Sequence, residues 1–161
     1  YAAISINNGI KGLKIISKNL NDKTSRLLMS KSSLYAGICI SKTRTCICHS
    51  ISYPLTAHYG VPHGLACAFT MLEVIKYLIN KENDYFNDLF KTRYRSHRLF
   101  LKDIEKLFKI LKIKKRIKSY NITYNKILPL LNEMYTPERA DNFPLKINEI
   151  FIKRILKNSL N

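Results

Sequence analysis

The sequence has few acidic residues, no tryptophan, and only five glycines and five prolines. It also lacks an apolar run approaching the roughly 20 residues that a membrane-spanning helix needs. Its most apolar stretch, residues 65–72, is followed at once by Glu73. We therefore predict no membrane span, and no secretory signal peptide is recognised. Because hydrophobic residues make up 46% and charged residues 24% of the chain, we predict a folded rather than a disordered protein.

The shortage of acidic residues leaves a formal net charge of +17. Such an excess attracts polyanions. Two segments are rich in basic residues, as an RNA-binding surface would be. The first surrounds a tyrosine and consists of Arg93, Tyr94, Arg95, His97 and Arg98. The second consists of Lys112, Lys114, Lys115, Arg116 and Lys118. Because the charge is spread along the chain and no recognition motif accompanies these segments, a basic helical module that binds nucleic acid is kept only as an alternative function.

A length of 161 residues fits one domain with its own core. The chain begins with Tyr1 rather than Met, so we expect it to derive from a longer parent. It has four cysteines, which are Cys39, Cys46, Cys48 and Cys67. Without a secretory signal, we expect reduced thiols and a cytoplasmic location.

Apolar residues recur every three or four positions along most of the chain, which is the period of one helix face. The predicted helices cover residues 4–20, 23–40, 46–53, 65–80, 85–90, 99–111, 124–135 and 149–156. The third is predicted to end near Pro54, since proline removes a backbone donor. Ser33 and Gly37 form a small-residue strip where another helix could come close. With no alternating strand pattern, the fold class is predicted to be all-α, an irregular bundle of about seven helices.

Three of the four histidines, His49, His58 and His63, fall within fifteen residues. On an unbroken helix His49 and His63 would lie about 21 Å apart, too far to share an ion. Pro54 and the turn at residues 60–64 would let the chain fold back and bring these two imidazoles together. Two nitrogen ligands suit Zn²⁺ or Fe²⁺, but a stable site usually has three or four ligands, so others must come from elsewhere.

The local cysteines give a rival interpretation, a structural zinc site of Cys46, Cys48, His49 and His63. Its Cys-x-Cys-His spacing is not a common zinc-finger pattern. The alternative for these thiols is that they are small buried hydrophobic residues.

The run from His49 to Ala68, HSISYPLTAHYGVPHGLACA, resembles the metal-site segment of the iron-containing (group III) alcohol dehydrogenase family. The resemblance extends back through Ser33 and Gly37 and forward through residues 144–156. It implies a two-domain parent, with an N-terminal Rossmann-like domain for NAD(P) and a C-terminal helical domain for a divalent metal. Residues 1–161 resemble the C-terminal domain alone, and they contain no Gly-rich nucleotide-binding turn.

The resemblance implies that His49 and His63 are metal ligands and that two further ligands lie upstream of Tyr1. Tyr53 departs from the family pattern, because many members have another active-site histidine there. Its candidate catalytic role is to hydrogen-bond a substrate oxygen or a relay water, and a packing role is the alternative. The phrase from Tyr53 to Thr56 is most similar to the subgroup that includes phosphonoacetaldehyde reductases.

The implied function is half of the metal centre of a reductase that transfers hydride between NAD(P)H and a small aldehyde. The implied cofactors are Fe²⁺, or else Zn²⁺, and NAD(P) held mainly by the other domain. We expect residues 1–161 to be inactive alone, and the parent could be a homodimer. An inactive remnant of a split dehydrogenase is a further alternative.

Overall fold

A computed structural model describes residues 1–81, 94–135 and 141–161, and over these residues it is helical without strands, which confirms the all-α prediction. The helices are α1 (Ala2–Ile16), α2 (Lys23–Thr43), α3 (Ile47–Tyr59), α4 (His63–Lys81), α5 (His97–Ile110), α6 (Ile113–Lys118), α7 (Tyr124–Ile127), α8 (Leu131–Met134) and α9 (Glu149–Leu160), with a 3-10 turn at Leu128–Leu130. The helix predicted at 85–90 lies outside the described residues. None of the described helices is long and apolar enough to cross a membrane.

The chain divides into two compact units. The first contains Tyr1–Thr43 and Leu78–Leu111, and the second contains Arg44–Tyr77 and Lys112–Asn161. Every residue of the predicted metal site belongs to the second unit, so the site is described within that unit alone.

In the first unit α1 packs closely against α2 at two glycines. A Cβ atom on Gly9 would lie 2.8 Å from Ser32 Oγ, and one on Gly12 would lie 2.9 Å from Met29 Sδ. The Ser5 hydroxyl donates to the Ser32 carbonyl at 2.8 Å, and the Ser32 hydroxyl donates back to the Ser5 carbonyl at 2.8 Å. The close approach is therefore at Gly9 and Gly12.

The small-residue strip predicted on α2 does not have this role among the described residues. Ser33 is exposed, and a Cβ atom on Gly37 would meet nothing within 4 Å. The composition of this strip suggested a contact because small residues permit close packing, but it does not specify which face of the helix is covered.

Helix α5 is amphipathic, with Phe100, Ile104 and Leu107 buried at helical spacing. It begins two residues earlier than predicted because Ser96 caps it, accepting a hydrogen bond from the Leu99 amide. Asp103 accepts a hydrogen bond from the Tyr94 hydroxyl at 2.7 Å and pairs with Lys14 on α1.

The core of the second unit includes Ile47, Ile51 and Leu55 on α3, none of which is exposed. The Ser50 hydroxyl donates to the Met134 carbonyl at 2.6 Å and so joins α3 to α8. The third helix therefore has its inner face fixed by packing and by a buried hydrogen bond.

The predicted end of the third helix near Pro54 was wrong, because α3 continues to Tyr59. A proline inside a helix costs about 3 kcal/mol. Burying a side chain such as Ile51 or Leu55 stabilises the fold by about 1.5–3 kcal/mol each, which offsets that loss. The chain reverses only after Tyr59.

Proline has a larger effect at position 129. The helix predicted over 124–135 is divided into α7, a 3-10 turn that contains Pro129, and α8. Asn148 caps α9, accepting a hydrogen bond from the Phe151 amide at 2.9 Å, and α9 continues to Leu160, beyond the end predicted at residue 156.

We predict opposite stability effects for alanine at two helical glycines. Gly12→Ala would force Cβ to 2.9 Å from Met29 Sδ and 3.2 Å from Leu28 Cβ, a strain of about 1–3 kcal/mol that exceeds the gain in helix propensity. Gly37→Ala meets open space and should stabilise the protein by up to about 1 kcal/mol. Urea unfolding of both variants measures the difference; stabilisation by Gly12→Ala would contradict the packing of α1 on α2.

Candidate metal centre

The candidate metal centre lies where α3 and the start of α4 come together. Ten residues, about 15 Å along a helix axis, separate His49 from the end of α3 at Tyr59. Gly60 then adopts the left-handed conformation, with φ 65° and ψ 20°, and its amide donates to the Thr56 carbonyl at 3.1 Å. This turn ends the helix without steric strain, because glycine has no Cβ.

The chain after Gly60 runs back beside α3. The amide of Val61 donates to the Leu55 carbonyl at 3.4 Å, and the Val61 side chain is fully buried. Residues 60–62 can span at most about 10 Å, which limits how far the chain can return along α3. His63, the first residue of α4, is returned toward His49.

The structure brings His49 and His63 together, with ring centroids 5.3 Å apart and an interplanar angle of 64°. Ligand atoms of His49, His63 and Cys67 all lie within 4.8 Å of one another. His49 and Cys67 are half-buried and His63 is exposed, so this group borders the surface of the second unit. Two imidazoles and a thiol are a donor set suited to a divalent transition metal.

Cys67 is the residue that sequence reasoning missed, since it was named only among the four cysteines expected to be reduced. It lies one helical turn after His63, and its Sγ is 3.6 Å from His63 Nε2. The four-residue spacing within HGLAC was a usable signal, because residues four apart share a helix face.

Ser52 is a buried residue that contacts the candidate metal centre. It is fully buried, its hydroxyl donates to the His49 carbonyl at 2.7 Å, and its Oγ lies 3.5 Å from His63 Nδ1. Burial raises the pKa of the Cys67 thiol, and a hydrogen bond with Ser52 partly opposes the shift. Ser52 therefore contacts both histidines of the group.

Tyr53 lies beside the centre, as its predicted active-site position requires. Its ring centroid is 5.8 Å from that of His63, and the residue is 40% exposed. A phenol placed there can donate a hydrogen bond to a molecule bound at the surface. Its catalytic role remains a prediction.

Cys46 and Cys48 do not join the group of ligand atoms, so the described residues give no support to the rival site of Cys46, Cys48, His49 and His63. The pKa of the Cys48 thiol is raised to about 12, mainly because burial removes water from it and next because of the neighbouring Cys46. Burial likewise raises the pKa of Cys46. Adjacent residues on a helix point in different directions, which is why His49 and Cys48 face different surroundings.

His58 does not belong to this group of ligand atoms. Its Nε2 lies 2.8 Å from a carboxylate oxygen of Glu133, and both side chains are exposed. His58 therefore pairs with Glu133 and contributes no atom to the candidate metal centre.

Most of the basic residues that suggested a polyanion-binding surface are exposed where the structure describes them. Lys112, Lys114, Lys115, Arg116 and Lys118 are exposed along α6, whereas Ile113 and Ile117 are buried. Arg95 and Arg98 are exposed near the start of α5, Tyr94 is buried, and Arg93 lies outside the described residues. The nucleic-acid alternative stays a prediction.

Residues 2–160 match the sequence model of the Fe-containing alcohol dehydrogenase family, C-terminal part, and the chain therefore belongs to that family. A phosphonoacetaldehyde reductase from Streptomyces viridochromogenes is 38% identical over 56 residues, which are 35% of this chain and 14% of that protein. The family predicted from the run at 49–68 is thus confirmed.

Two solved structures share the fold. The sulfoacetaldehyde reductase from Bifidobacterium kashiwanohense, in complex with NAD⁺, has a TM-score of 0.77 and 20% identity, and the match covers 99% of this chain and 44% of that one. A 1,3-propanediol oxidoreductase has a TM-score of 0.66 and 19% identity, with coverage of 97% and 45%. This chain spans less than half the length of either structure.

The turn that positions His63 gives a second prediction. Gly60→Ala should lower the free energy of unfolding by about 1–2 kcal/mol, because a Cβ is strained at a φ of 65°. Gly60→Asn should lower it less, since asparagine tolerates the left-handed region better. Thermal unfolding of the two variants tests this. Equal stability of Gly60→Ala and the unaltered chain would mean that the reversal does not use this conformation.

Proposed function

We propose that this chain supplies half of the metal centre of an NAD(P)-dependent alcohol dehydrogenase or aldehyde reductase. The observation that carries the proposal is the meeting of His49 and His63, whose ligand atoms lie within 4.8 Å of each other although fourteen residues separate them. Membership of the family supports the same assignment.

The chain's own residues fit a divalent cation, Fe²⁺ or Zn²⁺. Each imidazole offers one neutral nitrogen as a ligand. When bound, the metal supplies a Lewis acid toward a carbonyl, and NAD(P)H supplies the hydride. His49 and His63 would hold the ion at the edge of α3 and α4, and Tyr53 would donate a hydrogen bond to the substrate oxygen.

We further propose that the remaining ligands and the nucleotide site belong to an N-terminal Rossmann-like domain of a longer parent. A two-histidine site has fewer ligands than the four of most zinc sites, so another part of the protein must complete it. The solved structures that share this fold are more than twice as long, with this chain matching 44% and 45% of them. The domain assignment for residues 1–161 is the C-terminal helical metal-binding domain.

The proposed substrate is a small aldehyde that bears an anionic group. A relative that is 38% identical over 56 residues is a phosphonoacetaldehyde reductase, and one protein of the same fold is a sulfoacetaldehyde reductase. A chain with a formal net charge of +17 would attract such an anion. The choice between NAD and NADP belongs to the other domain.

The test uses this chain joined to a nucleotide-binding domain of the same family and loaded with Fe²⁺ or Zn²⁺. His63→Ala should release the metal and reduce NAD(P)H oxidation with phosphonoacetaldehyde by more than the roughly 100-fold typical of changes outside the ligand shell. Metal content and the absorbance of NAD(P)H are the two measurements.

His58→Ala is the matched control, because His58 also lies on this pair of helices but contacts Glu133 instead. It should keep metal and activity, as should His97→Ala. Equal losses in His63→Ala and His58→Ala would overturn the ligand assignment. The 161-residue chain alone should oxidise no NAD(P)H; turnover by it alone would overturn the two-domain part of the proposal.

A further inference from the structure

We infer that Cys67 is a third metal ligand, so that this chain by itself forms a site of two nitrogens and one sulfur that prefers Zn²⁺ to Fe²⁺. The inference rests on the proposal that His49 and His63 bind a metal, and it adds a ligand and a metal preference to that site.

The first support is the distance between Cys67 and His63. Zinc–sulfur and zinc–nitrogen bonds of about 2.3 Å and 2.0–2.1 Å, set at a tetrahedral angle, place the two ligand atoms about 3.6 Å apart. The observed distance from Cys67 Sγ to His63 Nε2 is 3.6 Å. An ion could therefore bridge these two atoms without moving either side chain along the helix.

The second support is that His49 approaches from another helix. All three ligand atoms lie within 4.8 Å of one another, whereas two nitrogens on one tetrahedral zinc are about 3.3 Å apart. Closing the largest gap requires a movement of about 1.5 Å, which a side-chain rotation can supply. One ion could then contact His49 from α3 and both His63 and Cys67 from α4.

The third support is the position of Ser52. Because its hydroxyl proton is donated to the His49 carbonyl, its oxygen is left to accept from Nδ1 of His63, 3.5 Å away. That arrangement leaves Nε2, the nitrogen nearer to Cys67, with a lone pair for a metal. Ser52 is fully buried and contacts both histidines of the group.

The identity of the ligands determines the preferred metal. Thiolate is a soft ligand that selects zinc-like ions, and zinc and cobalt bind more tightly than Fe²⁺ in the general order of divalent metals. A carboxylate in the same position would favour harder ions. The sulfur of Cys67 therefore moves the preference of this centre toward Zn²⁺.

The experiment titrates Co²⁺ into the reduced, metal-free 161-residue chain and follows its absorption spectrum. We expect a thiolate-to-cobalt charge-transfer band in the near ultraviolet, and we expect Zn²⁺ to displace the cobalt. Cys67→Ser should abolish the band and weaken Zn²⁺ binding at least about tenfold, a conservative value for the loss of a ligand. The preference for Zn²⁺ over Fe²⁺ in direct competition should fall in the same variant.

Cys46→Ser is the matched control, because Cys46 lies close in the sequence but outside the group of ligand atoms. It should keep the charge-transfer band, and circular dichroism should show that both variants remain helical. Loss of the band in Cys46→Ser rather than in Cys67→Ser would overturn the inference. So would cobalt binding without a thiolate band.

The inference and the proposed function can fail separately. Cobalt bound through nitrogen alone, with loss of binding in His63→Ala, would overturn the role of Cys67 and leave the two-histidine centre in place. No cobalt binding by this chain would also overturn the inference, while the proposed function would still be decided by metal content and activity of the two-domain protein.

Discussion

The candidate centre depends on the reversal of the chain between α3 and α4. A histidine two residues inside α3 and another at the first position of α4 can meet only if the connecting residues bring the chain back along α3. Gly60 makes the left-handed turn, and the buried Val61 keeps the returning segment against Leu55. The ligand geometry is therefore held by a helix cap and by core packing, neither of which involves the ligands themselves.

The all-α class and the approach of His49 to His63 could be predicted from the sequence, because both follow from local patterns. Apolar spacing defines helix faces, and the Gly-Val-Pro segment before His63 marks a turn. The chain reverses in the predicted turn at residues 60–64, but the predicted end of the third helix was wrong because Pro54 is a strong local signal for a helix end. Its effect is outweighed by the packing of Ile51 and Leu55, a tertiary property that residue spacing does not reveal.

The sequence also did not reveal which face of each helix packs against another helix. Leu27 and Leu34 fit an apolar stripe on α2, yet they are 56% and 62% exposed among the described residues. Conversely, Gly9 and Gly12 lower the helix propensity of α1, and they are where α2 approaches it. Apolar or small residues indicate that a contact is permitted, whereas the partner that makes the contact depends on the whole fold. Cys67 was missed for the same reason, since its distance to His49 is a tertiary quantity.

Charge connects the candidate ligands with the proposed substrate. Before Glu73 the only acidic residue is Asp22, which lies in the first unit, and the whole chain carries a formal net charge of +17. Two neutral imidazoles would hold a divalent cation without compensating any of its charge, and a positive protein raises the cost of adding that cation. Negative charge must therefore come from a thiolate, from a carboxylate in the proposed second domain, or from the substrate. A thiolate at Cys67 and an aldehyde with a phosphonate or sulfonate group both meet this requirement, so the scarcity of acidic residues favours the same ligand and the same class of substrate.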